Sequence, residues 1–199
     1  MQSSTVASTT ITIQNDHLKQ MLEFSEKALA DSKSLFANLS QNQLVWKPAP
    51  KSWNILECFR HLYIAADLYY PRIQDAVRTA RENNMVSEKA FSPAWFAKKF
   101  IGLIVPESKL RIRTTRLFTP ESNFMDVAIQ QQFLEIVEKY IELIKQADGF
   151  ELNKKMLQSP ATKLLKFSIG EAIWLITVHN LRHIQQAQNI TQLPDFPGD

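Results

Sequence analysis

The chain has 199 residues, of which 45% are hydrophobic and 22% are charged, a composition that excludes a largely disordered chain. Its length suits one core, and its formal net charge of +3 is too small to indicate nucleic-acid binding by itself. The chain has four glycines and few alternating β-branched runs, whereas sheet-rich folds need many turns. We therefore expect a single all-α domain over residues 1–199, with its core at about residues 15–190.

The single cysteine, Cys58, excludes an intramolecular disulfide and a CysxxCys metal site. A metal ion would therefore need nitrogen or oxygen ligands. The first residues, MQSSTVASTTITIQ, lack the basic and apolar regions of a secretory signal, and no later stretch reaches about 18 uninterrupted apolar residues. These features predict a cytoplasmic protein with no membrane partner.

The first predicted helix covers residues 15–39 and follows a Ser/Thr-rich segment, residues 1–13, that we expect to be a loosely docked arm. The helix begins at Asn15 or Asp16, and its apolar residues recur on one face. His17 lies in the first turn, where the expected role is that of a solvated or capping histidine. We therefore do not interpret His17 as a metal ligand.

The second predicted helix covers residues 54–83. Asn54 and Glu57 form a capping-box pattern at its start, so Glu57 is interpreted as a cap rather than as a general base or a hydrogen-bond acceptor behind His61. His61 can face the core or its edge. Pro71 removes one backbone hydrogen bond and predicts a kink or a break near residues 69–70.

Two connections lack helical periodicity. Residues 41–53 contain two prolines and predict a loop anchored by Trp46 and Trp53. Residues 84–119 form a longer excursion, with a short predicted helix that begins at Ser92 and Pro93 and ends at Gly102. The excursion has seven basic residues against two glutamates and is rich in aromatic residues. This composition suits either a lid over an anionic substrate or a packed, solvated segment.

The third predicted helix covers residues 120–147. Thr119 and Pro120 are interpreted as its N-cap and first turn, and Asp148 and Gly149 as its end. Its apolar residues recur at steps of three and four, which predicts a core-facing stripe. A loop through residues 159–160 then leads to the last helix.

The fourth predicted helix, residues 168–190, begins at Ser168, which forms a capping-box pattern with Glu171. His179 and His183 lie in its apolar stripe, one turn apart. At this spacing their Cβ atoms are roughly 6 Å apart, so both rings can reach one metal ion. Two inward histidines satisfied by hydrogen bonds are the alternative. A third ligand from another helix would decide between them, and His61 is the best placed of the remaining histidines.

The arrangement resembles the DinB-like (DinB/YfiT-like) family of metal-binding four-helix bundles. The runs that carry the resemblance are SWNILECFRHL around His61 and VHNLRHIQQA around His179 and His183, and it covers about residues 15–190. The resemblance implies an antiparallel four-helix bundle with a long excursion between helices 2 and 3. It also implies that His61, His179 and His183 bind a divalent metal, nickel or zinc. Family members include S-transferases and isomerases that use bacillithiol or mycothiol.

The three histidines predict a metal-dependent enzyme acting on a small molecule, and the resemblance implies an S-transferase with a low-molecular-weight thiol cosubstrate or a hydrolase. The catalytic residues remain unassigned. The zincin motif HisGluxxHis is excluded, because Asn180, Leu181 and Arg182 separate the two histidines; Asn180 and Arg182 are interpreted as ordinary flanking residues. Two alternatives stay open: a non-catalytic stress-response or interaction protein with structural histidines, and nucleic-acid binding through residues 84–119. A homodimer is as compatible with the sequence as a monomer.

Overall fold

The computed structural model describes residues 13–108 and 114–198, so the predicted arm lies outside the described residues except at its last position. The described elements are, in chain order, α1 (Asp16–Ala37), α2 (Gln41–Val45), α3 (Ile55–Glu82), α4 (Trp95–Gly102), a 3₁₀ helix (Arg116–Phe118), α5 (Ala128–Ala147), β1 (Lys155–Ser159), β2 (Thr162–Ser168) and α6 (Ile169–Thr191). Helix dominates the described chain, which confirms the predicted all-α class. None of these helices is long and apolar enough to cross a membrane.

The four long helices, α1, α3, α5 and α6, pack into one bundle, as predicted. α1 and α3 each pack against both α5 and α6, so α1 and α3 occupy opposite corners. α1 and α5 are antiparallel, because Asn15 at the start of α1 bonds to Asp148 at the end of α5, while Lys33 pairs with Glu138 further along. These two polar contacts therefore join α1 and α5 at two separate points along their length.

The directions of α3, α5 and α6 explain why a long connection is needed between α3 and α5. α3 and α6 run antiparallel and place His61 beside His179. α3 and α5 run parallel, since Phe59 meets Phe133 near their starts and Tyr70 meets Tyr140 further along. An antiparallel bundle therefore describes two of the neighbouring pairs, and a parallel pair needs a connection long enough to return the chain to the starting end. Residues 83–127 provide that connection.

Local capping signals fix the starts of α3 and α6. Asn54 and Glu57 exchange both bonds of a capping box at the start of α3, and Ser168 and Glu171 do the same at α6. Each box satisfies amides that have no partner within the helix. The predicted starts at residues 54 and 168 and the capping role of Glu57 are confirmed.

The third long helix begins later than the sequence indicated, at Ala128 rather than at Pro120. Asn123 adopts a left-handed backbone conformation with φ of 59°, and its amide donates to the Glu57 carboxylate at 2.8 Å. This tertiary hydrogen bond holds residues 120–127 out of a helix. The predicted end is correct, since α5 ends at Ala147 and Gly149 follows with φ of 81°.

Three smaller expectations were wrong. Residues 41–45 form the short helix α2, capped by Ser40, instead of a loop. α3 continues through Pro71, so of the predicted kink or break the break is absent. The chain before α6 is an antiparallel hairpin of β1 and β2, turned at Pro160 and Ala161 without glycine. The short helix in the excursion is confirmed, with its end at Gly102, although Ala94 and not Ser92 precedes it.

Candidate metal centre

Three histidines meet where α3 and α6 cross. His61 lies in the second turn of α3, and the antiparallel α6 brings His179 and His183 opposite to it on consecutive turns. Ring nitrogens of the three residues all lie within 4.8 Å of one another. The ring centroids form a nearly equilateral triangle, with separations of 4.9, 4.6 and 4.7 Å. Among the described residues no other group of three His, Cys, Asp or Glu side chains has this convergence.

The spacing of the nitrogens suits a bound cation. The Nε2 atoms of His61 and His179 are 3.1 Å apart. Two nitrogen ligands that each lie about 2.0–2.1 Å from one ion are roughly 3–3.4 Å from each other, depending on the coordination angle. The pair therefore needs little rearrangement to share a metal ion.

Hydrogen bonds on the far side of two rings fix their orientation. His61 Nδ1 lies 2.6 Å from the Phe118 carbonyl oxygen, and His183 Nδ1 lies 2.9 Å from Gln186 Oε1. Because each of these oxygens is an acceptor, Nδ1 carries the proton in both rings. The Nε2 atoms of His61 and His183 then carry no proton and present a lone pair, as in metal sites where a carbonyl or amide holds the ligand ring.

His179 differs from the other two, because its Nδ1 is buried and has no hydrogen-bond partner among the described residues. In the metal-free protein its Nε2–H must donate to His61 Nε2, since His61 Nδ1 already carries that ring's proton. The three rings therefore do not satisfy one another. His179 Nδ1 lacks a partner whether or not a cation is bound at Nε2, so it is the convergence of the ring nitrogens that fits three imidazoles around a cation.

Burial keeps the three rings unprotonated. It lowers the pKa of His61, lowers the pKa of His179 well below its usual value, and lowers the pKa of His183 to about 3. The neighbouring rings and the Arg182 guanidinium add repulsion that lowers the pKa of His179 and His183 further. Neutral imidazole is the form that binds a metal ion, so the rings are ready to act as ligands at neutral pH.

His17 lies apart from this group. Its Nε2–H donates to the Gly170 carbonyl at 3.1 Å, and its ring stacks on Phe91 with centroids 3.9 Å apart. Asn15 provides the cap of α1, so the expectation that His17 is solvated or capping was wrong. Burial lowers the pKa of His17 to about 4, although the carbonyl opposes this. His17 is a satisfied packing residue.

Sequence reasoning missed several neighbours of the site. Trp53, predicted only to anchor a loop, has its ring centroid 5.0 Å from that of His61 and 6.2 Å from that of His183. Arg182, interpreted as an ordinary flanking residue, donates to the carbonyls of Val105 and Ser108 in the excursion. Gln186 lies three residues after His183, one helical turn away, and that spacing could have identified it.

Glu57 is close to His61 in sequence but is fully engaged elsewhere. Its Oε1 accepts from Lys47 Nζ and from the Asn123 amide, both at 2.8 Å, and its Oε2 accepts from the Asn54 amide at 2.8 Å. The carboxylate is 2% exposed. It therefore joins three segments at the start of α3 and is not available as a base at the histidines.

Comparison with known proteins places the chain in a family. The model of the DinB superfamily matches residues 25–187, which include α3, α5, most of α6 and all three converging histidines. No curated protein and no solved structure matches the chain significantly.

Proposed function

The chain belongs to the DinB superfamily, and from this premise we propose that it is a divalent-metal-dependent enzyme that acts on a small molecule. The observation that carries the proposal is the convergence of His61, His179 and His183 with the Nδ1 atoms of two rings already bonded elsewhere. Three protein ligands leave coordination positions for water or substrate, which distinguishes a catalytic site from a closed structural one.

The donor set favours zinc or nickel. Imidazole nitrogens suit these borderline ions, and neither a thiolate nor a carboxylate belongs to the converging group. Cys58 is buried, and burial raises the pKa of its thiol to about 12, so it does not supply a thiolate ligand. Three neutral ligands also leave the charge of a divalent ion uncompensated, which favours an anionic ligand at the open position.

A divalent ion at this site would act as a Lewis acid and lower the pKa of a bound water or thiol. The contribution of the chain is to hold three neutral rings close together, two of them in fixed tautomers, and to exclude most water from them. With Glu57 engaged and no glutamate between His179 and His183, a zincin-type protease mechanism lacks its base. We therefore propose an S-transferase with a thiol cosubstrate, or a hydrolase, and assign no catalytic base.

The excursion supports an anionic substrate. Lys98 and Lys99 are exposed on α4, which packs against α6, and Phe118 lies at His61. If these lysines attract the substrate, replacing both with Gln should weaken binding of an anionic substrate or inhibitor several-fold at low salt and less at high salt. The double variant K145Q/K139Q on α5 is the matched control. Equal affinity of the Lys98/Lys99 variant and the wild type at low ionic strength would remove this support.

Cobalt(II) substitution tests the function directly, because its visible spectrum reports coordination. Cobalt-loaded protein should show tetrahedral or five-coordinate bands that are lost in His183→Ala. Addition of a small thiol such as cysteamine should then produce a sulfur-to-cobalt charge-transfer band if the enzyme uses a thiol. Altered cobalt bands with carboxylates or phosphates but not with thiols would favour the hydrolase. A spectrum identical to that of cobalt in buffer would contradict both.

A further inference from the structure

The excursion is fastened to the two helices that carry the histidines. At its first half, the Ala94 amide donates to Glu171 Oε1 at 2.9 Å, and Arg182 reaches the turn after α4. At its second half, the Phe118 carbonyl accepts the His61 Nδ1–H at 2.6 Å. Two of these three anchors belong to the metal centre or to the residue between its ligands.

Arg182 makes the most extensive of these contacts. One guanidinium nitrogen donates to the carbonyl oxygens of Val105 at 2.9 Å and Ser108 at 3.0 Å, and it lies 3.5 Å from that of Leu103. Hydrogen bonds from a charged donor are stronger than neutral ones. Arg182 thereby gathers three carbonyls of one turn and holds residues 103–108 against the helical turn that joins His179 to His183.

The contact at Phe118 depends on the tautomer of His61. The carbonyl can only accept, so the contact forms only when Nδ1 carries the proton. A cation bound at Nε2 would exclude the other neutral tautomer, because Nε2 then has no proton. Metal binding would therefore enforce the one neutral form of His61 that docks the excursion.

We propose that Arg182 is a positioning residue that couples docking of the excursion to occupancy of the three-histidine site. This inference rests on the proposed metal site. Coupling between two sites is reciprocal in free energy, so if metal binding tightens the docked excursion, a docked excursion must tighten metal binding by the same factor. Arg182 acts on the metal through the helical turn that carries His179 and His183, which it holds against residues 103–108.

Replacing Arg182 tests the proposal sharply, because loss of its charge and loss of its anchoring role should change the metal affinity in opposite directions. A guanidinium close to His179 and His183 repels a bound cation, so removing its charge alone should tighten metal binding. Removing the anchor should instead weaken metal binding, by about tenfold, as for other residues that orient metal ligands. Weaker binding in Arg182→Gln can therefore not come from the lost charge.

The first experiment measures zinc affinity by competition with a chelator on untagged protein. Arg182→Gln should bind zinc about tenfold more weakly than the wild type. Arg182→Lys, which keeps the charge and one flexible donor, should fall between them. Arg78→Gln on the exposed side of α3 is the matched control and should match the wild type, since the ion pairs of Arg78 with described residues are those to Asp75 and Glu82. Equal or tighter binding by Arg182→Gln overturns the proposal.

The second experiment needs no variant and so stands even if Arg182→Gln folds poorly. Hydrogen exchange of the wild-type amides at residues 104, 108 and 118 should be about tenfold slower with saturating zinc than without it, by the same reciprocity. Unchanged exchange overturns the proposed coupling and leaves the metal site standing. Equal zinc affinity in the wild type and in His179→Ala would refute the metal site itself.

Discussion

The histidines of the molecule are of two kinds, which differ in how their ring nitrogens are used. At His17 a single ring is stacked on Phe91 and bonded to the Gly170 carbonyl. At the crossing of α3 and α6, three rings face one another, and the buried Nδ1 of His179 has no partner among the described residues. In both places burial lowers the histidine pKa.

This difference shows that burial and a lowered pKa do not identify a metal ligand. They describe His17 as well as His183, yet only His183 lies in a group whose nitrogens converge. The functional argument therefore depends on the convergence of the ring nitrogens and on the fixed tautomers of His61 and His183, whereas packing alone explains the lowered pKa of His17. The predictions below test whether the two kinds of histidine separate as this comparison requires.

The largest expected effect is stabilisation by zinc. A ligand that binds only the folded state at 1,000 times its Kd adds about 4 kcal/mol to the free energy of unfolding. Wild-type protein and His17→Gln should gain the same increment in chemical denaturation, while His179→Ala should gain almost none. A gain in His179→Ala equal to that of the wild type would place zinc elsewhere. The metal-free wild type should remain folded, because its four helices bury a full core.

The next largest effect is the contribution of His17 to the pH dependence of the free energy of unfolding. Its pKa is about 4 in the folded protein against 6.5 when unperturbed, so the unfolded state binds a proton first as the pH falls. The contribution of neutral His17 to the free energy of unfolding is therefore complete above pH 6.5, and it is lost progressively as the pH falls to 4. Between pH 7.5 and 5 the loss is about 2 kcal/mol.

His17→Gln is the variant that isolates this contribution, since glutamine can still donate to Gly170 but does not titrate. The free energy of unfolding is measured at pH 7.5 and pH 5 for the metal-free wild type and the metal-free variant. Between these two pH values the wild type should lose about 2 kcal/mol more than the variant. The three other histidines are common to both proteins and cancel. Parallel pH profiles would show that His17 titrates normally and is not packed as described.

The smallest effect concerns the space beside His17. A Cβ at Gly170 would lie 2.4 Å from the Phe91 ring, so Gly170→Ala must displace the ring that stacks on His17. Overpacking typically costs about 1–3 kcal/mol, and the better helix propensity of alanine offsets part of this. We expect a net loss of about 1 kcal/mol in the free energy of unfolding. Zinc affinity should not change. A loss of zinc binding in Gly170→Ala would show that the packing around His17 and the three-histidine group are coupled, contrary to the comparison.

Local signals in the sequence were sufficient to predict the two helices that carry the converging histidines. The capping boxes at Asn54 and Ser168 involve residues only three positions apart, so both starts were predicted correctly. The spacing of His179 and His183 follows from the period of the helix. The family assignment and the all-α bundle were likewise predicted and are confirmed.

Features that depend on tertiary contacts could not be predicted. α5 begins at Ala128 because the distant Glu57 holds the Asn123 amide, although Thr119 and Pro120 form a good local start signal. The acceptor for His61 is the backbone carbonyl of Phe118, and a carbonyl has no signature in the sequence. The carbonyls bound by Arg182 were hidden for the same reason. The hairpin before α6 lacks the glycine-bearing turn that usually reveals one.

The most direct test of the central claim is the metal content of untagged protein, measured by elemental analysis after purification without chelators. We predict a nearly stoichiometric amount of zinc or nickel in the wild type and in His17→Ala. His61→Ala, His179→Ala and His183→Ala should each lose most of it, while circular dichroism shows that they remain folded. Equal metal content in His183→Ala and His17→Ala would contradict the account and would show that the three converging histidines do not form a metal centre.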